Sequence, residues 1–133
     1  MIVSYNKQKP KVLISEDDFE NKVFLEVLLK QYFEIYICDS AESFYYYLKA
    51  VPIDAILMDI SIFGDKNGLQ LTREIKSSPL YKHIPVICYT AHARQQDRIN
   101  AIEAGCDFYL AKPVENEVLI NTILDAANRS VLQ

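Results

Sequence analysis

The chain has 133 residues, of which half are hydrophobic and 24% charged, with a net charge of −4. That length suits one domain, and the composition supplies a sizeable core and excludes a disordered chain. The mild acidity argues against direct nucleic-acid binding, which calls for clustered Lys and Arg.

No apolar run reaches transmembrane length, and the polar start of the chain lacks a signal-peptide core, so a cytoplasmic protein without membrane contact is expected. Residues 1–10 read as an amino-terminal leader and residues 11–130 as a single domain. The first short strand covers residues 11–15 and ends in Glu16-Asp17-Asp18. A helix from near Asp18 to near Tyr32 follows, with Leu25, Leu28, Leu29 and Tyr32 on one face. Asp18 and Glu20 suit its amino end. Residues 34–38 form a second strand, and Ser40 caps a helix that runs to Ala50 before Pro52. Tyr45, Tyr46 and Tyr47 cannot all face inward, so at least one is expected to be partly exposed.

The third strand, residues 53–59, contains the apolar run Ala55–Met58 and stops on Asp59. A strand buried on both faces belongs to a parallel sheet covered by helices. A loop leads to Gly68, and a helix runs from there to about Ser77, where Pro79 blocks it. Residues 84–90 hold the fourth strand, with Pro85 at its start. A helix then ends at Ala104, with Gly105 in a C′ position. Residues 107–111 are the fifth strand, leading into Lys112-Pro113. The last helix runs from about Glu115 to Arg129, with Ile120, Ile123, Leu124 and Ala127 on one face. Five alternations of strand and helix predict an α/β fold, a doubly wound parallel sheet with right-handed crossovers. Cys38, Cys88 and Cys106 have no metal-type spacing and read as small core residues.

In such a sheet, ligand sites lie off the carboxyl ends of the strands. Glu16 and Asp17 follow the first strand, Asp59 ends the third, Thr90 the fourth, and Lys112 follows the fifth. Crowded carboxylates resist ionising together, and a hard divalent cation relieves them. Mg²⁺ is the expected ion, since it pairs a few carboxylates with waters and phosphate oxygens. Lys112 offers a point charge for a phosphoryl group. A carboxylate can attack phosphorus to give an aspartyl phosphate, so these residues assemble a phosphoryl-accepting aspartate.

From Lys11 to Arg129 the chain resembles the receiver domain of two-component response regulators. The matching stretches are Val-Leu-Ile-Ser-Glu-Asp-Asp with Asn21 three residues on, Ile-Leu-Met-Asp59-Ile with Gly68, Pro-Val-Ile-Cys-Tyr-Thr90-Ala91, and Gly105-Cys-Asp-Phe-Tyr109-Leu-Ala-Lys112-Pro113. The resemblance implies a flavodoxin-like (βα)5 sheet in the order 2-1-3-4-5. It implies that Asp59 takes a phosphoryl group from a histidine kinase or a histidine phosphotransfer protein. Glu16, Asp17, Asp59 and the main-chain carbonyl of Ser61 would hold Mg²⁺. Thr90 would be the switch hydroxyl, Tyr109 the aromatic that turns with it, and Lys112 the phosphate contact, with a cis Lys112–Pro113 bond. Ser61 and His92 match positions that tune loss of the phosphoryl group.

The chain departs from the family in carrying Phe63 where a proline is usual and in reaching Gly68 one residue late. The extra residue lies within residues 64–67 and bears on the placement of Ser61.

The implied function is a phosphorylation-switched signalling domain and not an enzyme beyond its own phosphoryl transfer and dephosphorylation. Its partner face would be the fourth helix, fifth strand and fifth helix, with a phosphorylation-dependent homodimer among the expected assemblies. A phosphorylation-independent interaction module is one alternative. An aspartate-nucleophile phosphatase is another, although Ser61 stands where its second aspartate would be.

Overall fold

The computed structural model describes residues 8–60, 67–91 and 94–132. Its elements are β1 (Lys11–Ser15), α1 (Phe19–Leu29), β2 (Glu34–Cys38), α2 (Ala41–Ala50), β3 (Ala55–Met58), α3 (Gly68–Ser77), β4 (Val86–Thr90), α4 (Gln95–Ala104), β5 (Phe108–Ala111) and α5 (Asn116–Leu132). The five strands are all parallel and lie in the order β2-β1-β3-β4-β5. This is the arrangement expected from the strand–helix alternation and from the receiver resemblance.

β3 and β4 are buried throughout, as is β1 from Val12 onward, which is why these stretches read as unbroken apolar runs. The side chains alternate between two cores. Val12, Ile14, Leu57 and Ile87 pack with Leu25 and Leu29 of α1 and with Leu119 and Ile123 of α5. Leu13, Ile56, Met58 and Val86 pack on the other face, with Phe44 and Leu48 of α2 and Leu71 and Ile75 of α3. A one-residue slip of any inner strand would exchange its two sets of side chains, so the packing also sets the register.

The helix ends follow local chemistry. Asp18 caps α1 by accepting from the Asn21 N–H at 2.9 Å. Ser40 and Ser43 form a capping box on α2, and Asn67 and Gln70 form one on α3. Gly105 ends α4 at φ 105°, a left-handed conformation that a side chain would strain.

Some boundaries differ from the sequence expectation. α1 stops at Leu29 instead of near Tyr32, and the chain turns so that Phe33, 1% exposed, fills the core place expected for Tyr32, which is 43% exposed. β3 begins at Ala55 and β4 at Val86, with Asp54 and Pro85 just before them each making a single backbone hydrogen bond, to Lys11 and Ile56. Among the three tyrosines, Tyr46 is 65% exposed and its neighbours are half-buried. The three cysteines are free; Cys38 and Cys88 are buried and Cys106 is half-buried. Burial pushes the Cys38 thiol up to about 12. Among the described residues no helix is long and apolar enough to cross a membrane.

Candidate phosphoacceptor site

The strand order reverses direction between β1 and β3, and this switch point opens a crevice at the carboxyl edge of the sheet. Ser15 pairs with Met58, so the residues that follow them, Glu16 and Asp59, leave the sheet side by side. The Asp59 N–H donates to the Ser15 carbonyl at 3.1 Å and locks that step. On the other flank Thr90 pairs with Ala111, and the Lys112 N–H donates to the Thr90 carbonyl at 2.8 Å. Lys112 therefore enters the same crevice from the edge strand. The Lys112–Pro113 peptide is cis, as expected.

The side chains meet there. Lys112 Nζ donates to Asp59 Oδ2 at 3.2 Å and to Glu16 Oε1 at 3.3 Å. Glu16 is 1% exposed, Asp59 4% and Thr90 0%. Glu16 also accepts from the Asp18 N–H and from the Asn21 side-chain amide, both at 3.2 Å. Its carboxyl touches that of Asp59 as well. Burial first, and then the Asp59 charge, raise its pKa above the ordinary carboxylate value, while Lys112 opposes the shift. Burial works to lower the Lys112 ammonium pKa, but Asp59 and Glu16 together outweigh it and the net shift is upward. The Tyr89 ring lies beside this ammonium, its centroid 4.6 Å from Nζ.

Asp59, Glu16, Thr90 and Lys112 are thus brought to one crevice. Asp17, the next residue after Glu16, is exposed, and among the described residues no three acid, His or Cys side chains stand close enough to hold a metal ion. Tyr109 is half-buried on β5, with the Arg98 guanidinium 5.9 Å from its ring centroid. Ser61 and His92 lie outside the described residues.

Two contributors carried no assigned role in the sequence reading. Asn21 appeared there only as part of a motif, yet it is a direct partner of Glu16. Gly68 appeared there as a loop end and part of a motif, without a stated cause. A Cβ at Gly68 would lie 2.6 Å from the Asp59 main-chain oxygen and 2.7 Å from Ile60 Cα. The spacing of Gly68 after Asp59 was the available signal. Its cause is the close approach of α3 to the backbone that carries the acid.

The donor chemistry suits a hard cation. Two buried, mutually repelling carboxylates face a single ammonium, and carboxylate oxygen is the ligand type that Mg²⁺ prefers.

A sheet open at its switch point, with acids and a lysine converging there, places the molecule among doubly wound α/β domains with a charged site at the carboxyl edge of the sheet. The description "response regulator receiver domain" matches residues 12–124, from β1 into α5, and the chain belongs to that family. Receiver domains are the signalling phosphoacceptor modules of two-component phosphorelays and not enzymes in the usual sense.

The signal transduction histidine-protein kinase BarA of Escherichia coli (strain K12) is 34% identical over 114 residues, covering 85% of this chain and 12% of that protein. The hybrid signal transduction histidine kinase I of Dictyostelium discoideum is 36% identical over 122 residues, covering 85% of this chain and 7% of that protein. The chain therefore spans only a small part of these relatives. The receiver domain of the sensor histidine kinase PA1611 of Pseudomonas aeruginosa PAO1 superimposes with a TM-score of 0.81 at 28% identity, over 90% of this chain and 98% of that one. Its crystal structure was determined with a magnesium ion coordinated in the active site cleft.

Proposed function

We propose that this chain takes a phosphoryl group onto Asp59 from the phosphohistidine of a histidine kinase or histidine phosphotransfer protein, and that it does so in the cytoplasm. The observation that carries the reading is Lys112 Nζ bridging Asp59 Oδ2 and Glu16 Oε1 at the switch point of the sheet. A carboxylate oxygen of Asp59 attacks phosphorus; an O–P bond forms as the donor's N–P bond breaks, and the imidazole nitrogen keeps the electron pair. Transfer of this kind needs in-line positioning and charge neutralisation more than covalent assistance. Lys112 turns from the Asp59 carboxylate to a phosphoryl oxygen. Burial of Asp59 and Glu16 limits competing water.

Glu16, Asp17, Asp59 and the main-chain carbonyl of Ser61 would hold Mg²⁺. The ion would neutralise phosphoryl oxygens and the crowded acids. Thr90, at the end of β4, would donate its hydroxyl to the phosphoryl group. Tyr109 would then leave Arg98 and turn inward, changing the surface made by α4, β5 and α5. Ser61 and His92 would set how long the acyl phosphate lasts. Downstream binding or homodimerisation would read that surface as a two-state equilibrium biased by a local charge.

Incubation with acetyl phosphate and Mg²⁺, read by intact mass, tests this. One added phosphoryl mass on the native chain and none on Asp59→Asn is the expected result. No addition to the native chain, with Mg²⁺ bound, would favour a phosphorylation-independent interaction module. Steady turnover of a phosphomonoester would instead indicate a phosphatase.

A further inference from the structure

Lys112 sits just past an edge strand on a flexible four-carbon stem, and the ring of Tyr89 faces its ammonium. An ammonium carries three N–H donors. Two of them meet Glu16 Oε1 and Asp59 Oδ2. The third side of the ammonium is covered by the Tyr89 π face, with 4.6 Å between Nζ and the ring centroid.

Tyr89 is itself 6% exposed and is packed in the core layer with Ile87, Leu119 and Ile123, so the ring cannot swing away without opening that layer. It lies on β4 at the same level as Asp59 on β3, because Met58 pairs with Cys88 one step earlier. An aliphatic residue at this position would leave that side of the ammonium against hydrocarbon in place of an attracting π face.

We propose that Tyr89 is a positioning residue for phosphoryl acceptance, acting through Lys112. Its ring holds the ammonium over the two acids and remains a partner while the ammonium moves. A hydrogen-bond acceptor is directional and would resist that movement. The face of an aromatic ring attracts a cation over a broad area, so the ammonium pivots from Asp59 to a phosphoryl oxygen without leaving it. The ring, and not its hydroxyl, carries this role. The inference rests on the reading of Asp59 as phosphoacceptor for its kinetic consequence, and on the structure alone for the contact.

Two measurements test it. In proton NMR of the unphosphorylated chain, the ε-methylene of Lys112 is expected upfield of an ordinary lysine through the ring current. The shift persists in Tyr89→Phe and disappears in Tyr89→Leu. In labelling with acetyl phosphate, Tyr89→Phe keeps close to the native rate. Tyr89→Leu slows it by about 10-fold, because the ammonium is no longer held where the phosphoryl oxygen arrives. A pentafluorinated phenylalanine at position 89 keeps the shape of the ring while inverting its quadrupole, and it slows labelling even if Tyr89→Leu fails to fold. In the Lys112→Ala background the same changes at position 89 have no further effect. Equal slowing in both backgrounds would reduce Tyr89 to a core residue, and native-rate labelling of the fluorinated variant would overturn the proposal. If the native chain takes no label, the phosphoacceptor reading fails, while the ring-current shift still decides the contact.

Discussion

Lys112 and Asp59 lie 53 positions apart in sequence, yet their charged groups approach to 3.2 Å. The same ammonium reaches Glu16 at 3.3 Å across 96 positions. One cation therefore ties the ends of three strands together, its side chain 17% exposed above two buried acids. Removing it leaves two nearly buried carboxylates facing each other. Lys112→Ala is expected to lower metal-free stability by about 2–3 kcal/mol, less than for a fully buried pair because some solvent reaches the ammonium. Chemical denaturation in chelator checks this. Millimolar Mg²⁺ should return part of the loss, since binding to the folded state alone stabilises it.

Glu16 works against the fold in the absence of a second cation. Its folded pKa is raised, so its contribution is greatest below the ordinary carboxylate value and is lost as pH rises through the folded value. At neutral pH in chelator, Glu16→Gln is expected to raise the melting midpoint by about 2–5 °C. The same change should weaken Mg²⁺ binding, read by titration calorimetry. An acid that destabilises the empty site while strengthening the loaded one is the signature of a ligand.

Gly68 permits α3 to start against the backbone of Asp59. Gly68→Ala gains less than the roughly 1 kcal/mol such a change brings in a helix interior, because Gly68 is the first residue of α3. It also forces a Cβ to 2.6 Å from the Asp59 main-chain oxygen, and overpacking of this kind costs about 1–3 kcal/mol. The clash outweighs the gain. The variant should be destabilised in urea and should label more slowly with acetyl phosphate, because the backbone that must yield is the one carrying the acceptor.

Away from the site, the Tyr45 hydroxyl donates to Glu74 and joins α2 to α3. Burial first, and then this hydrogen bond, raise its pKa above the ordinary tyrosine value. A raised folded pKa means that the contribution is complete below the ordinary value near 10 and is lost as pH rises through the folded value. Stability measured above that pH should fall more steeply for the native chain than for Tyr45→Phe. Parallel curves would remove Tyr45 from the alkaline response.

Much of the fold was legible because a doubly wound sheet writes itself as alternating periods. Ala55–Met58 and Val86–Thr90 are unbroken runs because both faces are covered, and each is closed by a residue with chemistry. Asp59, Thr90 and Lys112 could be placed from that rule alone. Glu16 and Asp17 were both expected as metal ligands, but adjacent residues at a strand end leave in opposite directions; Glu16 is buried against Lys112 and Asp17 is exposed.

Tyr89 entered the sequence analysis only as part of a matching stretch, because its contact with Lys112 joins neighbouring strands and leaves no local pattern. The inner face of α1 was partly misread. The expected stripe ran to Tyr32, but the helix stops at Leu29 and leaves Phe19, 73% exposed, on its outer side.

The chemistry at Asp59 can be read at the level of a single atom. Borohydride reduces an acyl phosphate to the alcohol, so a phosphorylated aspartate becomes homoserine. After treatment with acetyl phosphate and Mg²⁺, peptide mapping should find homoserine at position 59 and nowhere else, and none when Mg²⁺ is chelated. Homoserine at Asp17 or Glu-derived alcohol at position 16, with Asp59 untouched, would contradict the account.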